Sequence, residues 1–199
     1  MPLRQLLLIS LLLLAACGDG RHEQLDLSGG ALGTSFNISI VGAPEALDTA
    51  ALEADVLATF ERIDLLASTW REDSELAIFN ADHAIDWIIV SQPLCDALAS
   101  ALNIAVQTGG AFDVTVGPLV NLWGFGPDGS AVEPPSAEAI AAAMEATGHD
   151  KIETDCNERL VRKDHEDMYV DLSGWAKGLA VDELAELLDT TGIDNYLVE

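Results

Sequence analysis

Between residues 34 and 66 the spacing of apolar side chains changes from two to three or four, so a strand and a helix must follow one another. Phe36, Ile38 and Ile40 alternate with Ser35, Asn37 and Ser39, the pattern of a strand with one buried face. Leu52, Val56, Leu57, Phe60, Ile63 and Leu66 then form one apolar stripe, in a helix expected to open at Pro44 and to end near Ser68-Thr69-Trp70. The polar stretch Arg71-Glu72-Asp73-Ser74 follows.

The rest of the chain is punctuated in the same way. A short strand is expected over residues 85–90. Ser91 and Pro93 make a helix start, Leu94, Leu98, Leu102 and Ala105 keep its period, and Gly109-Gly110 stop it. Residues 112–129, rich in glycine, proline and aromatics, lack a period and are expected to form an ordered loop. Ser136 caps a further helix with Ile140 and Met144 on one face, ending near Gly148. Residues 160–161 and 168–172 read as a strand pair around the charged turn Lys163-Asp164-His165-Glu166. Ser173 caps a helix carrying Ala176, Ala180, Leu184, Leu187 and Leu188, with Gly192 as its stop. Residues 195–199 begin a strand with no partner in view.

The N-terminus has a cationic start at Arg4, an apolar run over residues 6–14 and small residues before Cys17. A helix needs about 20 apolar residues to cross a bilayer, so this run reads as the core of a secretory signal. Leu14-Ala15-Ala16-Cys17 resembles the bacterial lipobox, which would make Cys17 the lipidated first residue of an exported protein; a cleaved signal without lipid is the alternative. The expected organisation is a signal and lipidated cysteine over 1–17, a linker over 18–29, and one globular unit over 30–199.

The chain carries 9 Lys+Arg against 34 Asp+Glu, a formal charge of -25, which argues against nucleic acid and against a basic membrane-binding face. A phosphate ligand would need a cation, a helix N-terminus or a placed lysine. Beyond Cys17 only Cys95 and Cys156 remain. An exported compartment permits a bridge between them, but spacing cannot bring the two sulfurs together, and both are expected to be free or incidental. His22, His83, His149 and His165 sit in polar or loop segments with no partner at metal-ligand spacing, and hydrolase, kinase and zinc-protease motifs are absent.

Two units could carry chemistry. In residues 171–178, Asp171 stands at a strand end, Ser173 at a helix start, Gly174 where a carbonyl can be approached, and Lys177 in the first turn. Free N–H groups and an ammonium there make an anion site; an ordinary capped helix with a solvated lysine fits the same residues. In residues 109–126, five glycines, Asn121 and the aromatics Phe112, Trp123 and Phe125 suggest a backbone packed close to a flat ligand, or simply a well-packed loop.

Taken together, FDVTVGPLVNLWGFGP and DLSGWAKGLAVDELAELL resemble the ApbE family, the FAD:protein FMN transferases. Gly30-Ala31-Leu32-Gly33-Thr34 is similar to the family's opening Ala-Met-Gly-Thr segment, and residues 68–75 to its Ser-x-Tyr-x-x-x-Ser-Glu turn. The resemblance implies an α+β fold with a mixed, largely antiparallel sheet and packed helices, incomplete at its C-terminal side. It implies an exported enzyme, lipid-anchored at the periplasmic face of the inner membrane, that takes FAD, uses Mg²⁺, transfers FMN to a threonine of acceptor flavoprotein subunits of membrane redox complexes, and releases AMP. Flavin-nucleotide contacts then fall on Leu32, Trp70, Ala111, Phe112, Asp113, Asp171 and Lys177, with Lys177 and Asp171 as the catalytic pair and the carbonyl of Gly174 as a magnesium ligand. Leu32 replaces the usual methionine and Trp70 the common tyrosine. The family's remaining metal ligands, an aspartate pair and a threonine, lie in a later segment, so this stretch alone is expected to be inactive. A non-catalytic flavin-binding lipoprotein and a structural periplasmic lipoprotein are the readings from other classes.

Overall fold

The computed structural model describes residues 23–127, 129 and 133–199; the signal segment, Cys17 and His22 lie outside them. Strands β1 (Gln24–Ala31) and β2 (Thr34–Val41) pair antiparallel from Gln24↔Val41 to Ala31↔Thr34. Residues 24–29, expected as linker, are therefore strand. Leu25 and Leu27 face the core beneath this hairpin while Asp26 and Ser28 alternate outward, a period of two too short to stand out before Gly29-Gly30. In β2, Ile38 and Ile40 are fully buried, and the Phe36 ring lies 4.6 Å from that of Phe60.

The terminal strand β6 (Tyr196–Val198) does have a partner: it pairs antiparallel with β2 through Ile38↔Val198 and Ile40↔Tyr196, giving the order β1-β2-β6. Asn37 and Glu199 exchange backbone hydrogen bonds at the end of this ladder. A second antiparallel sheet has the order β3-β5-β4, from β3 (Trp87–Ile89), β4 (Ile152–Asp155) and β5 (Leu160–Lys163). The partner of β5 expected at residues 168–172 is thus replaced by β3 and β4. Met168, Val170 and Leu172 alternate into the core like a strand, yet the segment joins no sheet. Its backbone is satisfied elsewhere: the Asn80 carboxamide donates to the Val170 carbonyl and accepts from the Val170 N–H, both at 2.8 Å, and the Asp171 N–H donates to the Val114 carbonyl at 2.7 Å.

Helix α1 (Thr49–Ala67) starts at Asp48, whose side chain accepts from the N–H groups of Ala50 and Ala51, rather than at Pro44. Leu52, Val56, Phe60 and Ile63 are buried as the stripe predicts, whereas Leu57 is exposed. A short helix α2 (Glu75–Ala81), not anticipated because seven residues carry too little periodicity, is capped by Ser74. Its Glu75 carboxylate accepts from both the N–H and the hydroxyl of Ser91, the cap of α3 (Gln92–Gln107). Lys163, expected in a solvated turn, is fully buried: its ammonium donates to the carbonyls of Phe79 and Asp82 at the end of α2 and lies 4.8 Å from the Phe79 ring centroid. Burial pushes this lysine's pKa down, opposed by the Asp82 carboxylate.

Residues 112–129 are not a plain loop. A 3-10 turn (Val114–Val116) leads into helix α4 (Gly117–Leu122), because Asp113 caps the turn and Pro118 is pre-set for a first helical turn. Gly117 is required there: a Cβ would lie 2.3 Å from the Tyr169 carbonyl oxygen. Helix α5 (Ala137–Glu145) is capped by Ser136 as expected, and α6 (Ser173–Thr190) buries Ala176, Ala180, Leu184 and Leu188 against the core. Arg62 of α1 pairs with Glu183 of α6.

Cys95 and Cys156, expected to be free, form a disulfide that ties the first turn of α3 to the bend after β4, across a sequence separation of 61. The pairing depends on two distant elements packing together, which spacing alone cannot reveal. Replacing both cysteines by alanine is expected to lower unfolding free energy by about 2–4 kcal/mol, checked by urea denaturation with and without reductant; equal midpoints in both conditions would rule the bridge out. A second expectation concerns the turn between β1 and β2. Leu32 has φ 49 and Gly33 φ 73, both in the left-handed region that two-residue hairpins need. Leucine there costs roughly 1–2 kcal/mol, so Leu32→Asn should raise stability by about 1 kcal/mol, read from the shift of the same urea curve.

Candidate functional site

Three separate pieces of chain enclose a cleft of about 550 Å³. The hairpin turn supplies Leu32 and Gly33, the end of α1 supplies Ile63, Asp64 and Ala67, residues 68–71 follow, and the first turns of α6 supply Ser173, Ala176 and Lys177. Three of the residues assigned to flavin-nucleotide contact, Leu32, Trp70 and Lys177, therefore meet in one place. Trp70 is 67% exposed at this wall, offering an indole face to a flat ligand. Lys177 is exposed, and among the described residues its ammonium makes one long hydrogen bond, 3.4 Å, to the Ser173 carbonyl.

The loop that carries Trp70 is held from below. Ser68 ends α1 and its hydroxyl accepts from the Trp70 N–H at 3.2 Å, while the Ser74 hydroxyl donates to the Ser68 carbonyl. Arg71 sits among three carboxylates, paired in a fork with Asp73 and reaching Glu61 and Asp64 on α1. Hydrogen bonds to Asp73 and Glu61 raise the guanidinium's pKa well above its ordinary value, and the same fork holds Asp73 below the usual carboxylate range. Neither Arg71 nor Asp64 was singled out in the sequence, because Arg71 lies past the end of α1 and its approach to Asp64 depends on how the chain turns after Ala67.

The other assigned residues, Ala111, Phe112, Asp113, Asp171 and Gly174, lie around the start of α6 and do not line this cleft. The Phe112 ring comes within 3.4 Å of where a Cβ on Gly174 would stand, so that glycine allows the ring to approach the helix. Ser173 is the first helical residue, not the cap expected. Leu172 holds the cap position without a side-chain cap, and the carboxylate of Asp171, one residue earlier, accepts from the Ser173 N–H at 2.8 Å. A carboxylate already occupies part of the helix N-terminus, so an anion bound there depends more heavily on Lys177.

Asp113 is turned inward. Its side chain is 11% exposed and accepts from the Thr115 N–H and hydroxyl and from the His149 N–H, at 2.7–2.9 Å, with the His149 ring 3.5 Å away. The Thr115 hydroxyl in turn accepts from the Gly148 N–H. His149 stands beside the Asp113 carboxylate, and His83 contacts the Glu166 carbonyl. The flat wall expected from residues 109–126 does not form at the cleft: Trp123 and Phe125 are exposed and do not line it, and the Asn121 side-chain oxygen is buried with no hydrogen bond among the described residues, packed against Gly126.

Among the described residues, no three His, Cys, Asp or Glu side chains gather as a metal site. One carbonyl, that of Gly174, does not satisfy the near-octahedral demand of Mg²⁺, so these residues by themselves do not fit the ion and no chemical step is derived through it.

The sequence model of the ApbE family matches residues 32–199. An FAD:protein FMN transferase of Klebsiella pneumoniae (strain 342) is 45% identical over 177 residues, covering 86% of this chain and 49% of the relative. One of Vibrio cholerae serotype O1 is 40% identical over 192 residues, covering 96% and 57%. The solved flavin transferase ApbE from Vibrio cholerae superposes with a TM-score of 0.84 at 38% identity, covering 89% of this chain and 57% of that one. For the apo form of Pseudomonas stutzeri flavinyl transferase ApbE the TM-score is 0.82 at 31% identity, covering 90% and 59%. The chain spans about half the length of the curated relatives it matches. With that family match over residues 32–199 and a shared α+β architecture, the chain belongs to the ApbE family.

Proposed function

We propose that the protein is an FAD:protein FMN transferase that moves the FMN part of FAD to a threonine hydroxyl of an acceptor flavoprotein and releases AMP. The observation that carries this reading is the meeting of Leu32, Trp70 and Lys177 in one cleft, an aromatic face and an aliphatic wall beside an exposed ammonium held only by a long hydrogen bond to the Ser173 carbonyl. A flavin nucleotide needs those two kinds of surface, one for a flat ring and one for a phosphate. In the reaction the threonine oxygen bonds to the phosphorus of the FMN half, the anhydride bond to the AMP phosphate breaks, and the hydroxyl proton leaves with solvent. Lys177 stabilises the charge that grows on the departing phosphate, and Asp171 holds the start of α6 that carries it. Magnesium enters this proposal through the family, as the cation a pyrophosphate calls for in an acidic protein.

We place the protein outside the cytoplasm, lipid-anchored through Cys17 at the periplasmic face of the inner membrane. The Cys95–Cys156 bridge supports export, because such bonds persist in oxidising compartments. Mass spectrometry of the mature N-terminus should find a lipid on Cys17, and a mature chain starting anywhere else refutes the anchor.

The test of function uses the protein expressed from its own full-length gene: covalent flavin fluorescence on a threonine-bearing acceptor in a denaturing gel, together with titration of FAD and riboflavin. FAD should bind more tightly than riboflavin. Lys177→Ala should weaken FAD binding or turnover about tenfold to a hundredfold while leaving the thermal midpoint unchanged. Binding of FAD with no labelling at all would instead identify a non-catalytic flavin-binding lipoprotein, and normal kinetics in the lysine variant would remove Lys177 from the site.

A further inference from the structure

The wall of the cleft contains an ion web that the transfer reaction does not use. Arg71 and Asp64 both line the cleft. The Arg71 Nη1 donates to Glu61 at 2.9 Å and to Asp64 at 3.3 Å, while Nε and Nη2 hold Asp73 at 3.0 and 2.9 Å. The Arg71 and Asp64 side chains are only 27% and 29% exposed, so their charges are screened less than those of Glu61 or Asp73 at 58% and 68%. Four of the guanidinium's five N–H groups are occupied by carboxylates, so the residue is poorly placed to be a ligand's main donor. What it does supply is charge. Without it, a partly buried carboxylate would face the cleft in a protein whose acidic residues outnumber its basic ones 34 to 9.

Resting on the flavin-transferase reading, we infer that Arg71 determines the cleft's preference for phosphate-bearing flavin by cancelling the charge of Asp64. A pyrophosphate entering this cleft meets Lys177 on α6 and an α1 wall whose cleft-lining carboxylate is offset by Arg71, instead of one cation opposed by one carboxylate. The effect is electrostatic and acts on the anionic part of the ligand. Riboflavin, which has the same ring and no phosphate, is largely indifferent to it. A residue that merely anchored the Trp70 loop would change the ring-binding surface and affect both ligands alike.

The experiment titrates FAD and riboflavin against the protein expressed from its own gene, in wild-type, Arg71→Gln, Asp64→Asn and double-variant forms, at low and at high salt, with circular dichroism confirming the fold of each. The expected result is a roughly tenfold loss of FAD affinity in Arg71→Gln with less than a twofold change for riboflavin. The loss should shrink at high salt, and FAD affinity should recover to within about threefold when Asp64→Asn is added. Asp64→Asn alone should tighten FAD binding and leave riboflavin unchanged, and this arm decides the matter if Arg71→Gln fails to fold. Parallel loss of both ligands, absence of rescue by Asp64→Asn, or unchanged FAD binding in Asp64→Asn alone overturns the role of Arg71. A wild-type protein that binds neither ligand overturns the transferase reading and this inference with it, which separates the two failures.

Discussion

The position of the cleft depends on one carboxamide. Asn80 pairs through both of its polar ends with the backbone of Val170, doing for that residue what a neighbouring strand would do. Met168, Val170 and Leu172 are buried on the core side, and without this pairing the backbone between them would lose partners in a dry environment. Asn80 is fixed in turn because its helix α2 is held at both ends, by Ser74 at the start and by the buried ammonium of Lys163 at the finish. The chain of contacts runs from β5 through α2 to the extended segment, then to Asp171 and the first turn of α6. The links from β5 to α2 and from α2 to the extended segment join elements more than 80 residues apart, and only the last, from Asp171 to Ser173, is local, so the cleft wall carrying Lys177 is placed chiefly by tertiary structure.

The opposite side of α6 is organised by a second set of buried polar contacts. Asp113 gathers Thr115 and His149 around its carboxylate, and Thr115 reaches Gly148, so the residues before α4 are tied to those before β4. The Cys95–Cys156 bond closes the same region from α3 to the end of β4. The residues matched to the family's flavin loop, Ala111 and Phe112, therefore sit in a segment braced at both flanks, with the Phe112 ring against the Gly174 face of α6. A loop so restrained can be presented to a ligand with little further loss of conformational freedom.

What could be read in advance follows from how local each signal is. Strand β2, helix α1 beyond its first turn, α3 with its Ser91 cap and the stripe of α6 all announce themselves within a dozen residues, and all are present. The errors arise where the deciding partner is remote. Residues 168–172 alternate like a strand because they are buried like one, but their partner is a side chain. Lys163 looks solvated until α2 is folded over it, and Ser173 looks like a cap although the helix begins at it, with Asp171 bonding its N–H. Of the residues matched by resemblance, Leu32, Trp70 and Lys177 converge on the cleft, whereas Asp113 is committed inside its own loop. Arg71 and Asp64 were invisible as site residues because nothing local distinguishes them from the other charges of an acidic surface.

An acidic protein that holds a phosphate must separate its overall charge from the charge of its cleft. The formal charge of -25 is a sum over the chain, and at physiological ionic strength carboxylates farther than about 8 Å are largely screened. What a bound ligand experiences is the handful of groups in the walls, here Lys177, Arg71 and Asp64. Of these, Arg71 is tied into the α1 end while Lys177 is nearly free. The two cations therefore divide the work: one, immobile, cancels a fixed carboxylate, and the other, on a flexible stem, can follow a phosphate as its geometry changes. The acidic remainder of the surface then adds net charge without setting the potential inside the cleft, so a strongly acidic composition is compatible with a local site for an anion.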